Sequence, residues 1–273
     1  MIGPILRRAE AGRLPSRREV LLLLQAGGNE YLALLDTARR ICHRFKGEEP
    51  ALRGLITVAR DERVDQTLEE AISAQRLGCT SVVVRRDGPM PDVDAVAWLI
   101  RQIREQTDLQ VALCLGERSY EAYATWRQAG ATEYVLPHEC GNPGLYSSLY
   151  PGHSPAERLT RYLWLKGLGY QVTGGLRIGL DGQTGEGLAD DLEILRNTDV
   201  SGVVLRPAEG TANLLRMVAI TRLCLPEADL WLATDDAVLQ SQALTCGASL
   251  LVTSMPGEGA DLESIPIALA QAL

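Results

Sequence analysis

The chain has 273 residues, 46% of them hydrophobic, and a net charge of −8. That apolar content supports one large core, and the acidic balance excludes a uniformly nucleic-acid-binding surface. No apolar run reaches the roughly 18–20 residues of a membrane helix, so neither nucleic acid nor membrane is expected as a partner.

The N-terminus reads MIGPILRRAEAGR, without the long apolar core of a secretory signal, so a cytoplasmic protein is expected. Helical patterns cover Arg17–Leu24 and Asn29–Phe45, broken at Gly27-Gly28. Short β-rich runs then alternate with longer helical patterns. The strands are Leu55–Ala59, Ser81–Val84, Gln110–Leu115, Glu133–Leu136, Val172–Leu180, Gly202–Leu205, Leu230–Ala233 and Ser249–Val252. The helices are Thr67–Leu77, Val93–Gln106, Tyr120–Ala129, Pro155–Leu168, Glu186–Asn197, Ala212–Leu223, Ala237–Thr245 and Leu262–Leu273. Eight strands, each followed by a helix, predict an α/β fold of the closed (β/α)8 TIM-barrel type. Glycines 78, 130 and 247 sit where a helix must stop before the next strand. The expected organisation is one domain over 1–273, with a helical lead over 1–50 and the barrel over 51–273. The runner-up, an open doubly wound sheet, does not need all eight units.

Barrel chemistry sits at the C-terminal ends of the strands. Those ends carry arginines 60, 85, 177 and 206, which form an anion site if they converge and are structural if they pair with nearby aspartates. Strand four runs into His138, Glu139 and Cys140. His138 is a candidate general base or a plain hydrogen-bonding residue. Cys140 is a reactive thiol only where positive charge flanks it. Asp235 and Asp236 read either as a carboxylate pair or as a helix start. Gln183-Thr184 reads as a turn with a helix cap. All six cysteines lie more than twenty residues apart, so no ready-made zinc or iron–sulfur loop is present.

From Pro137 to Thr184 the chain contains HE-x-x-N-P-x-L-Y-x-x-L-x-P-G-x-S-x-x-x-R, then L-G-Y and G-L-x-G-Q-T. This order resembles the radical S-adenosylmethionine (SAM) enzymes of the biotin synthase, HydE and PylB group. The weaker likeness runs from about Arg13 to Pro256. The resemblance implies a SAM-binding barrel in which Glu139 and Arg158 hold the polar end of the cofactor. On the residues alone, those two side chains equally make a salt bridge between turn and helix. In the family, a C-x-x-x-C-x-x-C loop after strand one holds a 4Fe–4S cluster; the corresponding LRGLITVARDERVDQTLEEAI has no cysteine.

The expectations are therefore a pseudoenzyme of radical SAM fold that lacks its 4Fe–4S site. It binds a small anionic or zwitterionic ligand, or a protein partner in cofactor or metallocluster assembly. The expected ligand residues are Glu139, Arg158, Arg177, Arg206, His138, Gln183 and Asp235. No metal site and no resident cofactor are expected, with the cluster absent and SAM a candidate ligand. The alternative is a working enzyme, either using the arginine–carboxylate rim for acid–base chemistry or taking a cluster from elsewhere.

Overall fold

A computed structural model describes residues 1–58, 64–86, 88, 92–208 and 213–255. The sequence-predicted helix Leu262–Leu273 and the rim residues Arg60, Asp61 and Asp87 lie outside the described residues.

Three helices lead the chain: α1 (Gly3–Glu10), α2 (Arg17–Leu24) and α3 (Gly28–Lys46). Strands and helices then alternate as β1 (Ala51–Val58), α4 (Val64–Arg76), β2 (Ser81–Arg86), α5 (Val93–Gln106), β3 (Gln110–Cys114), α6 (Tyr120–Ala129) and β4 (Glu133–Val135). The second half holds α7 (Pro143–Leu149), α8 (Pro155–Gly167), β5 (Gln171–Ile178), α9 (Gly185–Asn197), β6 (Gly202–Pro207), α10 (Leu214–Cys224), β7 (Asp229–Leu232), α11 (Ala237–Thr245) and β8 (Leu250–Ser254). Sequence patterning places all eight strands and misses two short helices. Helix α1 carries three buried apolar residues within eight, and α7 is a seven-residue helix capped by Asn142 after β4.

The eight strands are parallel in the order β7-β6-β5-β4-β3-β2-β1-β8. Runs such as Val82-Val83-Val84 are apolar on both faces, as parallel strands covered by helices require. The predicted closure is nearly complete. Between β7 and β8 there is no continuous ladder. Ser249 N donates to Leu230 O (2.8 Å), and Leu230 N donates to the Ser249 hydroxyl (3.0 Å). A side-chain oxygen thus takes the amide that a ladder carbonyl would have taken. Farther up, the Gln240 amide donates to Thr234 O and Val252 O across the same seam.

Inside the barrel the side chains form layers. The lowest is polar and buried: Arg53 donates to both Glu133 oxygens (3.0 and 2.9 Å) and to Ser81 Oγ (2.9 Å), and Thr173 donates to Glu133 (2.5 Å). Above it an apolar layer brings together Val83, Ala112, Val135, Val204, Trp231 and Leu250. The Arg53 guanidinium lies 5.4 Å from the Trp231 ring centre and so supports the tryptophan from below. Gly175 lets β5 and β6 approach, because a Cβ there would stand 2.5 Å from Val204. Outside, α2 packs on α9 and α10, and α3 packs on α10, closing the second half of the helical layer. Among the described residues, no helix is long and apolar enough to cross a membrane.

Candidate functional site

The C-terminal ends of the strands open into a cavity of about 1070 Å³. Its described wall carries five arginines (85, 86, 118, 158 and 206) against three carboxylates (Glu117, Glu139 and Asp235). That excess of cations over acids favours an anionic group in the mouth.

Glu139 is the centre of the wall. It follows β4 and adopts φ 72°, a left-handed conformation uncommon for a residue with a Cβ. Two main-chain bonds hold it there: Glu139 N donates to Gly175 O (2.9 Å), and Arg177 N donates to Glu139 O (2.8 Å). The side chain is 1% exposed. Its Oε1 accepts from Arg206 Nη1 (2.5 Å) and from the Tyr150 hydroxyl (3.0 Å). Its Oε2 is buried without a hydrogen-bond partner among the described residues. A buried carboxylate oxygen left open is costly unless something fills the position.

Arg206 and Tyr150 respond to this charge. Burial works against the Arg206 cation, but Glu139, Tyr150 and Cys114 more than offset it and raise its pKa. Tyr150 is also raised, first by burial and then by Glu139.

Arg158 is placed differently from the sequence expectation. Helix α8 begins with a capping box, in which Ser154 and Glu157 satisfy each other's backbone amides, and this fixes Arg158 one residue later. Arg158 donates to Glu117 (2.7 Å) and to Pro137 O (2.6 Å), with its guanidinium 4.9 Å from the Tyr150 ring centre and 5.6 Å from that of Tyr146. The Glu139–Arg158 salt bridge considered from sequence does not form. Glu139 pairs with Arg206 and Arg158 with Glu117.

The other expected residues divide. Asp235 lines the mouth, while its neighbour Asp236 caps α11 by accepting from Val238 N and Leu239 N. Arg177 is the register partner of Arg206 but is not among the cavity wall, and its Nε is buried without a hydrogen-bond partner among the described residues. Gln183 staples the turn after β5, donating to Arg177 O (2.8 Å) and accepting from Gly179 N (2.8 Å). Thr184 is the α9 cap. His138 is fully buried and lies 3.7 Å from Asp191 on α9, away from the cavity wall. Cys140 is buried, and burial, then Asp191 and Glu139, push its thiol up to about 11. Cys114 lies in the cavity wall, and burial raises its thiol despite nearby Arg206. Sequence reasoning had not singled out Glu117, Tyr150, Arg118 or Trp231. Glu117 had a signal, standing at the end of strand three. Trp231 had none, since an aromatic in a β-run reads as core.

Comparison with known proteins gives the same picture. No family profile matches the chain. The FeFe-hydrogenase maturase subunit HydE of Thermotoga maritima is 31% identical over 274 aligned positions, covering 86% of this chain and 78% of HydE. A biotin synthase of Streptomyces avermitilis is 25% identical, covering 97% of this chain and 81% of its own. Among solved structures, methylornithine synthase PylB superposes with a TM-score of 0.83 at 17% identity, covering 98% of this chain and 93% of PylB.

These relatives correct one expectation. A chain with no cofactor and no 4Fe–4S cluster was expected from the missing cysteine loop, yet the relatives are radical SAM enzymes that use both cluster and SAM. Spacing along a chain does not by itself decide a ligand set, because ligands converge in space. The described residues fit the two groups unequally. Among them no three His, Cys, Asp or Glu side chains stand together as a metal site. Glu139 and the arginines beside it do suit the ammonium and carboxylate of SAM.

Proposed function

Since this chain belongs to the radical SAM superfamily, among relatives of HydE and biotin synthase, we propose that its barrel mouth is a receptor for a small zwitterionic or anionic molecule. The open, buried Oε2 of Glu139 carries this reading. It faces a requirement that an ammonium or another N–H donor meets directly. Arg206 is the natural grip for the matching carboxylate, because among the described residues its carboxylate partner is Glu139 and its side chain is 38% exposed. Arg158 orients rather than grips, since Glu117, Pro137 O and two tyrosines already hold it.

SAM is the first ligand to test, because Glu139 and Arg158 fall on the positions that the family uses for its polar end. Where SAM binds with a cluster, the pair supplies an organic radical; this chain's own residues hold and orient the zwitterion. Binding alone accounts for the mouth. The likeness to a hydrogenase maturase supports a place in metallocluster assembly. Thermal unfolding with SAM, S-adenosylhomocysteine and methionine tests the reading. A true ligand at a hundred times its dissociation constant adds about 2.7 kcal/mol of stability, and Glu139→Gln loses that gain. An equal gain in the variant, or no gain in the parent, contradicts it.

A further inference from the structure

We infer that the ligand of this mouth is bipartite, with a charged head between Glu139 and Arg206 and an apolar body seated inside the barrel on Trp231. The inference rests on the receptor reading above and adds the chemical class of what is received.

A barrel interior is ordinarily filled by its own side chains. Here the cavity wall reaches below the polar rim to Leu55, Val83, Val135, Val204 and Trp231. The middle layer is underfilled for a stated reason. Ala112 belongs to it and contributes only a methyl group, while the place of a side chain at Gly175 is taken by Val204. The apolar chamber has a firm floor, because Trp231 is backed by Arg53, whose cation is held by Glu133. Between Cys114 with its register partner Arg85 above and the Arg53–Glu133 pair below, the described wall carries no ionisable side chain. The chamber therefore takes aliphatic or aromatic matter and rejects a second charge. A phosphate-rich nucleotide fits the rim and fails the chamber. A carboxylate or amino acid with an uncharged apolar side group fits both.

The test is calorimetry with a straight-chain series of 2-amino acids: alanine, 2-aminobutyrate, norvaline, norleucine and 2-aminoheptanoate. Affinity rises about fourfold per added methylene while the chain descends into the chamber. Trp231→Leu, checked for folding by thermal unfolding, weakens norleucine more than alanine. In the unaltered protein, saturation-transfer NMR with norleucine gives a stronger signal at the terminal methyl than at the α-proton, which tests the seat without any substitution. A flat affinity series, or equal transfer to both ends, overturns the apolar seat while leaving the receptor reading intact. A rising series unchanged in folded Trp231→Leu removes Trp231 as its floor. Binding of no member overturns the head site and the bipartite ligand together.

Discussion

Glu139 holds a buried carboxylate and a left-handed backbone at the same point. The two can be separated. Alanine there keeps the conformational cost of roughly 1–2 kcal/mol, whereas glycine does not. Glu139→Gly should therefore exceed Glu139→Ala in unfolding free energy by about 1 kcal/mol, measured by denaturant titration, reversing the usual order of these residues. Equal stabilities would mean that the turn is not strained. The thiols give a second prediction. Burial raises Cys79 and Cys140 to about 11 and Cys224 to about 12, and Tyr146 to about 12. Each folded-state pKa lies above its unfolded value, so the stability from the protonated forms is complete below the ordinary thiol value near 8.5. It is lost as pH rises through 11 to 12. Denaturation midpoints should be level up to about pH 8.5 and fall toward pH 11; a level profile through pH 11 would contradict the burial of these groups.

At the scale of elements, two buried arginines join separate parts of the barrel. Arg222 on α10 is fully buried and has no carboxylate partner among the described residues. It donates to Gly247 O (2.7 Å), Pro226 O (2.8 Å) and Ala228 O (2.8 Å), tying the ends of α10 and α11 to the start of β7. Burial lowers its pKa, offset in part by Cys42 and Asp229. Arg222→Leu leaves several carbonyls buried without donors and should cost about 3 kcal/mol or more by chemical denaturation; a loss under about 1 kcal/mol would show the staple to be dispensable. Arg53 and Glu133 form the barrel floor. Glu133→Leu alone should cost about 3–5 kcal/mol, and pairing it with Arg53→Met should recover most of that, because the lone cation is then gone. A double variant as unstable as the single would refute this. Neither staple was legible in the sequence. An arginine inside an apolar helix or strand signals burial with a partner, but Glu133 lies 80 positions from Arg53, and Arg222 is held mainly by main-chain oxygens, which carry no residue signature. The strands were legible because parallel pairing writes them as short apolar runs between glycine-stopped helices. The β7–β8 seam was not, since it depends on one serine hydroxyl replacing a carbonyl.

For the whole molecule, the barrel follows from repetition and the mouth from exceptions to it. Of the residues expected at the rim, Glu139, Arg158, Arg206 and Asp235 line the cavity. Sequence order could not say which charges pair, because Glu139 meets an arginine 67 positions away and Arg158 a glutamate 41 positions away. It also could not distinguish His138 and Gln183, which turn to the helical side or staple a loop, from neighbours that face the mouth. The central claim is that this mouth receives a zwitterion through Glu139 and Arg206. Titration calorimetry of SAM and of norleucine into the parent, Glu139→Gln and Arg206→Met tests it most directly. Saturable one-to-one binding of at least one of them by the parent, weakened tenfold or more in both variants, is the predicted result. Binding of neither by the parent, or equal affinity in all three proteins, would contradict it.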